Sequence, residues 1–311
     1  MGILEKIFGN KKDSELGELS IYLPDVEIKN TNKTNYKDVL AGIIIGDLIG
    51  NKFLDNDIDG NVEFMPLFDN NEEVSNITIM TIATICAVNE IIEGKLKSER
   101  EIMDVFTKQY KKFFNEYSKF HYDENFYRWA LGKNMKSYNN DCSIIAKACI
   151  IGVMFENITD VIKISSLCAK TLYCSRECEK GLIVSAVLLY LKAHNIRSSE
   201  IKKYFNKNYP SGKNEINAEI SWNQLIEFSF SKKTVSDDAD IIVVEAFDNC
   251  LNSINFNDCM RNGIRYKSKR NIVIPLSGAF AGVQYSEPSV DRIPIKNIIE
   301  RKLSADLKKY L

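Results

Sequence analysis

Apolar residues recur at helical spacing along most of the chain, separated by polar stretches rich in Asn, Asp and Gly. The segments Val39–Phe53, Ile77–Ile92, Glu101–Tyr117, Ser143–Phe155, Thr159–Thr171, Cys178–Ala193, Ala239–Leu251, Asn257–Ile264, Ile272–Tyr285 and Ile295–Tyr310 each read as a helix. Cys178–Ala193 is apolar nearly all round in its middle, which predicts a place at the centre of the fold. The runs Ile144–Phe155, Ile183–Leu191 and Ile272–Ala281 are expected to be the most buried. Pro275 falls in the first turn of its predicted helix, where a missing N–H costs little. Asp55–Asn71, Gly132–Cys142 and Asn206–Glu215 read as loops. Residues 1–35 read as an arm, with Ile3, Leu4, Ile7 and Phe8 on one short apolar face, and residues 36–311 as one helical domain.

Two local patterns stand out from this background. Ala41, Gly42, Gly46 and Gly50 crowd small residues into one helix. Glycine costs about 1 kcal/mol against alanine inside a helix, so such a run implies close approach of a neighbouring helix or a ligand. Ser75 or Asn76 follows an acidic loop and opens an apolar helix, where a side-chain oxygen caps free N–H groups. An ordinary cap is the plainer reading, although a helix start also suits an anion.

Composition narrows the function classes. With 41 basic and 42 acidic residues and a net charge of −1, the chain lacks the basic excess of a dedicated nucleic-acid binder. Only 6 prolines and 15 glycines accompany the long helical patterns, which favours an all-α protein. The eight cysteines form no C-x-x-C pair and mostly sit in apolar runs, and the two histidines are far apart, so no structural zinc is expected. A reduced, cytoplasmic protein is expected, with no secretory signal and no apolar run of the roughly 18 residues that span a bilayer. Cys174 and Cys178 lie one turn apart with Arg176 between them, a setting that can lower a thiol pKa; buried structural cysteines are the alternative. Tyr110, Phe113, Phe114, Tyr117, Phe120, Tyr122, Phe126, Tyr127 and Trp129 form an aromatic belt whose spacing fits a core face better than a base-stacking surface. Asp237, Asp238 and Asp240 fit a helix start, where negative charge is favoured.

Three stretches in order resemble the ADP-ribosylglycohydrolase family over residues 38–286. Gly42-Ile43-Ile44-Ile45-Gly46-Asp47-Leu48-Ile49-Gly50 is similar to its first glycine-rich helix. Ser75-Asn76-Ile77-Thr78-Ile79-Met80 lies where the family carries Thr-Asp-Asp-Thr and two apolar residues. Gly278-Ala279-Phe280-Ala281-Gly282 resembles the small-residue end of its last core helix. The resemblance implies a single-domain, all-α, orthogonal multi-helix bundle. It also implies a site for ADP-ribose around two magnesium ions held by carboxylates, in keeping with that metal's preference for hard oxygen ligands.

Against that pattern the chemical positions depart. The first metal group becomes Ser75, Asn76 and Ile77, and counting back from Gly278 places Lys269, Asn271 and Ile272 where the late aspartates and threonine stand. Leu54, beside Asp55, replaces an acidic residue; Leu172-Tyr173 replaces a Thr-His segment; Cys142-Ser143 falls near an Asn-Gly segment. Asp47 and Thr78 are retained. No catalytic residue and no metal ligand is therefore assigned, and the magnesium site is expected to be lost. The candidate ligand-binding residues are Asp47, Ser75, Asn76, Thr78, Asp141, Ser143, Lys269 and Asn271. Two functional readings follow. One is a non-catalytic protein that binds an ADP-ribose-like nucleotide or a protein partner, and neither nucleic acid nor membrane. The other is a hydrolase rebuilt around Asp47, Asp55 or Asp141. At the former metal position, either the Lys269 ammonium supplies a fixed positive charge or Ile77 and Leu54 plug the pocket.

Overall fold

The structure, a computed structural model, describes residues 24, 35–54, 65–68, 72–133, 141–209, 238–266, 269–285 and 288–310. Most of the N-terminal arm and of the three predicted loops, with Asp55 and Asp237, lies outside the described residues. Within them the fold is all-α. In chain order it contains α1 (Tyr36–Lys52), α2 (Asn76–Glu93), α3 (Glu99–Glu116), α4 (Glu124–Ala130) and α5 (Ser143–Ala148), the last continuing as a 3-10 turn over Cys149–Val153. Next come α6 (Ile158–Thr171), α7 (Arg176–Ala193), α8 (Ser198–Asn208), α9 (Ala239–Asn252), α10 (Phe256–Gly263) and α11 (Arg270–Gln284). A two-residue-per-strand hairpin, β1 (Ser289–Val290) and β2 (Ile293–Pro294), leads into α12 (Ile295–Lys302) and α13 (Ala305–Lys308). Asp291 and Arg292 both take positive φ at its turn, which matches the right-handed twist of the two strands.

The glycine run in α1 is explained by α11. The two helices lie antiparallel at backbone contact, with matched levels every four residues: Asp38 by Gly282, Gly42 by Gly278, Gly46 by Ile274–Pro275, and Gly50 by Arg270–Asn271. Residues four apart lie on one helical face, so the whole stripe meets its partner. A Cβ on Gly46 would fall 2.5 Å from the Ile274 carbonyl oxygen and 2.6 Å from Pro275 Cα. One on Gly50 would fall 2.7 Å from the Arg270 carbonyl oxygen. Close backbone approach replaces the missing side-chain contacts with many small dispersion gains, which offset the helix cost of glycine.

Most helix starts follow from local sequence. Asn35, Ser75, Ser98, Asp123, Asn157, Ser175, Asp238 and Asn255 each cap their helix by accepting a backbone N–H one to three residues into it. Most of the aromatic belt packs inward, although Tyr127 is exposed, and Tyr110 is surrounded by Phe106, Phe126 and Trp129 at ring separations of 6.0–6.5 Å. Gly181 to Leu191 of α7 is wholly buried, as are Ile144–Val153 and Ile272–Ala281.

Several boundaries differ from the periodicity. Phe155 is half-buried, because the 3-10 turn ends at Val153 and carries the chain outward. The helix expected from Ile272 begins at Arg270, which puts Pro275 in the second turn and leaves the Asn271 carbonyl without an N–H four residues on. The expected terminal helix breaks at Leu303, which turns extended and buries its side chain while Ser304 starts α13. Asn206–Asn208, read as loop, close α8. One described helix, α2, is long and apolar enough by composition to cross a membrane, with 67% of it buried inside the fold. Its polar interruptions Thr78, Thr81 and Thr84 are buried too, and each hydroxyl has a hydrogen-bond partner.

Gly46→Ala is expected to destabilise the protein by about 3 kcal/mol or more, although alanine is the better helix former, because backbone and not a flexible side chain blocks the new methyl. Urea denaturation followed by circular dichroism measures this, and a neutral or stabilising result would contradict the packing described.

Candidate ligand-binding site

The predicted residues fall into three groups, at Asp47 and the start of α2, ahead of α5, and at the start of α11. Asp47 sits in α1 one turn before Gly50 and is fully buried. Its carboxylate reaches the start of α2, where it accepts from the Ser75 backbone N–H at 2.8 Å and the Ser75 hydroxyl at 2.5 Å. It also accepts from the Thr78 N–H at 3.2 Å and hydroxyl at 2.6 Å. Ser75 meanwhile caps α2 by accepting from the Ile77 N–H at 3.1 Å. Asp47 is thus an extended cap from a different helix, satisfying donors that α2 cannot satisfy itself. Burial pushes its carboxyl above the ordinary carboxylate range, against the four hydrogen bonds, which favour the ionised form.

Asn76, the first residue of α2, donates its side-chain N–H to the His121 carbonyl at 2.5 Å and so ties the α3–α4 connection to this end. Its side-chain oxygen is buried and accepts no hydrogen bond among the described residues. Ile77 beside it is buried, whereas Leu54 is 43% exposed and plugs nothing. The side chain of Leu54 follows the turn that ends α1 outward.

The second group precedes α5. Asp141 accepts from the Ser143 N–H at 3.0 Å and from its hydroxyl. It also forms an ion pair with Lys147 at 3.4 Å. Lys147 is only 4% exposed, and its ammonium lies 5.8 Å from the centre of the Phe126 ring. Burial alone would raise the Asp141 carboxyl, but the Lys147 charge and the Ser143 donors outweigh it and hold it below the ordinary range.

The third group starts α11. Lys269 occupies the cap position without a side-chain cap bond, and Asn271 is the second helical residue. The Asn271 side-chain oxygen, like that of Asn76, is buried and accepts no hydrogen bond among the described residues. Lys269 lies within electrostatic range of Cys142, which joins this group to the second. Arg270 turns inward and donates to the Tyr266 carbonyl at 3.0 Å and the Phe53 carbonyl at 3.1 Å, fastening the end of α1 to the start of α11.

The structure therefore brings Asp47, Ser75 and Thr78 into one hydrogen-bonded unit, and Asp141 and Ser143 into another. Asn76 adjoins Ser75, Asn271 lies against Gly50 one turn from Asp47, and Lys269 lies within electrostatic range of Cys142. Lys147 and the contact between Cys142 and Cys178 escaped the sequence reading. Lys147 falls in an apolar run where one lysine resembles a snorkelling surface residue, and no local signal names its partner. Among the described residues no three His, Cys, Asp or Glu side chains lie together as metal ligands would.

The fold has a solved counterpart. A structure described as an ADP-ribosylglycohydrolase-related protein complex superposes with a TM-score of 0.53, at 13% identity, over 89% of this chain and 91% of that one. The all-α fold is accordingly of the ADP-ribosylglycohydrolase type. No protein-family model and no curated protein sequence matches the chain.

Two measurements check the electrostatics. Thr78→Val keeps the side-chain shape but removes one donor to a buried carboxylate, and is expected to cost about 1.5–3 kcal/mol in chemical denaturation. Lys147→Met strands Asp141 and is expected to cost about 3–5 kcal/mol, part of which the double variant with Asp141→Asn recovers. The sign with pH follows from Asp141's lowered pKa. Its contribution is complete above the ordinary carboxylate range, near 3.9, and disappears as pH falls through the depressed folded value. In Lys147→Met that acid-side contribution should vanish, which a stability series from pH 6 down to about pH 2 would reveal.

Proposed function

We propose that this chain is a non-catalytic binding or regulatory protein, an ADP-ribosylglycohydrolase-like bundle that takes an ADP-ribose-like nucleotide without magnesium. The observation that carries the reading is the pairing of a saturated carboxylate with two unanswered amides. Asp47 is occupied by four internal donors, while the Asn76 and Asn271 side-chain oxygens are buried acceptors with no hydrogen bond among the described residues. A buried acceptor left unanswered costs about 1–3 kcal/mol, which a bound donor such as a ribose hydroxyl would relieve.

The fold family implies two magnesium ions, and the residues here do not suit them. Asn76 and Asn271 offer neutral oxygens, Ile77 offers none, and Lys269 brings a positive charge. A dication about 4 Å from an ammonium is opposed by roughly 8 kcal/mol at an effective dielectric of about 20. Without metal there is no bound water of lowered pKa to attack a glycosidic carbon. The same ammonium attracts a diphosphate or carboxylate, so the site is suited to holding a nucleotide rather than cleaving it. The charge balance and the buried setting of α2 support a protein that engages neither nucleic acid nor membrane.

Calorimetry on the full chain is the test. Magnesium should give no saturable heat in the micromolar range, and ADP-ribose should bind the wild type at least ten times more tightly than Lys269→Ala. ADP-ribosylated arginine should release no ADP-ribose on incubation. Saturable magnesium binding together with ADP-ribose release would overturn this reading in favour of a rebuilt hydrolase. Absence of nucleotide binding by both forms would leave a protein partner as the ligand.

A further inference from the structure

Outside the groups described above, two cysteines from distant parts of the chain meet. Cys142 immediately precedes α5, and Cys178 is the third residue of α7; their sulfurs lie 3.2 Å apart. Both thiols are reduced. A disulfide has an S–S length near 2.05 Å, so about 1.2 Å of further approach closes the bond.

We propose that Cys142 and Cys178 are a redox-active pair, which hydrogen peroxide converts to an intramolecular disulfide joining the turn ahead of α5 to the first turn of α7.

The chemistry assigns the two sulfurs different parts. Cys178 lies in the first turn of an 18-residue helix, where the N-terminal dipole favours a thiolate. Its hydrogen bond with Cys142 holds it below the ordinary thiol range and keeps Cys142 protonated. The Cys178 thiolate attacks one peroxide oxygen, the O–O bond breaks, and hydroxide leaves, so sulfur is oxidised to the sulfenic acid. The Cys142 sulfur then attacks the Cys178 sulfur and displaces the sulfenic hydroxyl, which departs as water with the Cys142 proton. In sum two thiols and one peroxide give one disulfide and two waters. Both thiols are buried, so the oxidant is a small one; a glutathione-sized disulfide does not fit.

Other thiols lack this setting. Burial, reinforced by the neighbouring Cys178, Cys168 and Asp141, pushes the Cys174 thiol well above its ordinary range. Cys250 and Cys259 also pair, with Cys250 held below and Cys259 above the ordinary thiol range, but they lie inside the core beneath α11 with no exposed surface. The bond would fasten the segment that carries Asp141 and Ser143 to the central helix. This follows from the thiol geometry alone and is independent of whether that segment holds a nucleotide.

The test treats the folded full-length chain with hydrogen peroxide, then unfolds it in guanidinium with N-ethylmaleimide and maps the peptides by mass spectrometry. The titratable thiols should fall from eight to six. The Cys142 and Cys178 peptides should appear cross-linked, two hydrogens lighter, and separate on reduction. Cys142→Ser should stop at a Cys178 sulfenic acid that dimedone traps, and Cys178→Ser should leave Cys142 unoxidised; circular dichroism confirms that each variant folds. Oxidised glutathione should leave all eight thiols free. Eight alkylated thiols after peroxide, or a cross-link confined to Cys250 and Cys259, would overturn the proposal. Dimedone labelling of Cys142 in Cys178→Ser would overturn the assignment of Cys178 as the attacking sulfur.

Discussion

The antiparallel backbone contact between α1 and α11 is the constraint on which the rest depends. It requires Gly42, Gly46 and Gly50 on one helix and Gly278 and Gly282 on the other, because any Cβ at these positions would overlap backbone. Backbone cannot be moved aside as a flexible side chain can, so the register of the pair has little freedom. That register puts Asp47 beside the start of α2 and Asn271 against Gly50. The candidate site is thus a consequence of helix packing before it is a matter of side-chain chemistry.

Asp47 illustrates what holds a carboxylate in such a position. A buried carboxylate at the start of a helix is a costly group that persists only when fully hydrogen-bonded. Here two hydroxyls and two backbone N–H groups surround it, all from the first turn of α2 or its cap. In a site with further carboxylates nearby, the same group would share its lone pairs with a cation. With Asn76, Ile77, Lys269 and Asn271 as neighbours in the three groups, its lone pairs are used in joining α1 to α2. Asp141 follows the same logic with Lys147 in place of backbone, which again ties a carboxylate to the fold.

This division explains why the chain keeps the fold of a solved structure at only 13% identity. The helix stripe, the caps and the apolar faces need residue classes rather than particular residues, and many sequences satisfy them.

Much of the fold was legible in the residues themselves. Helical periodicity, the cap at Ser75 and the four-residue glycine spacing are local signals, each readable within one or two turns. Asn76, Lys269 and Asn271 stand out in the sequence as departures from the family pattern it resembles. The short helices α4 and α8 were missed because their apolar positions are too few to give a period, and the break at Leu303 because the burial of one leucine decides it. Only the tertiary structure decided the pairings. Asp47 meets Ser75 and Thr78 across 28 and 31 residues, and Cys142 meets Cys178 across 36. No local preference encodes such partners. They are selected when the packed helices bring them within reach, and a buried polar group that finds no partner there must bear its full desolvation cost.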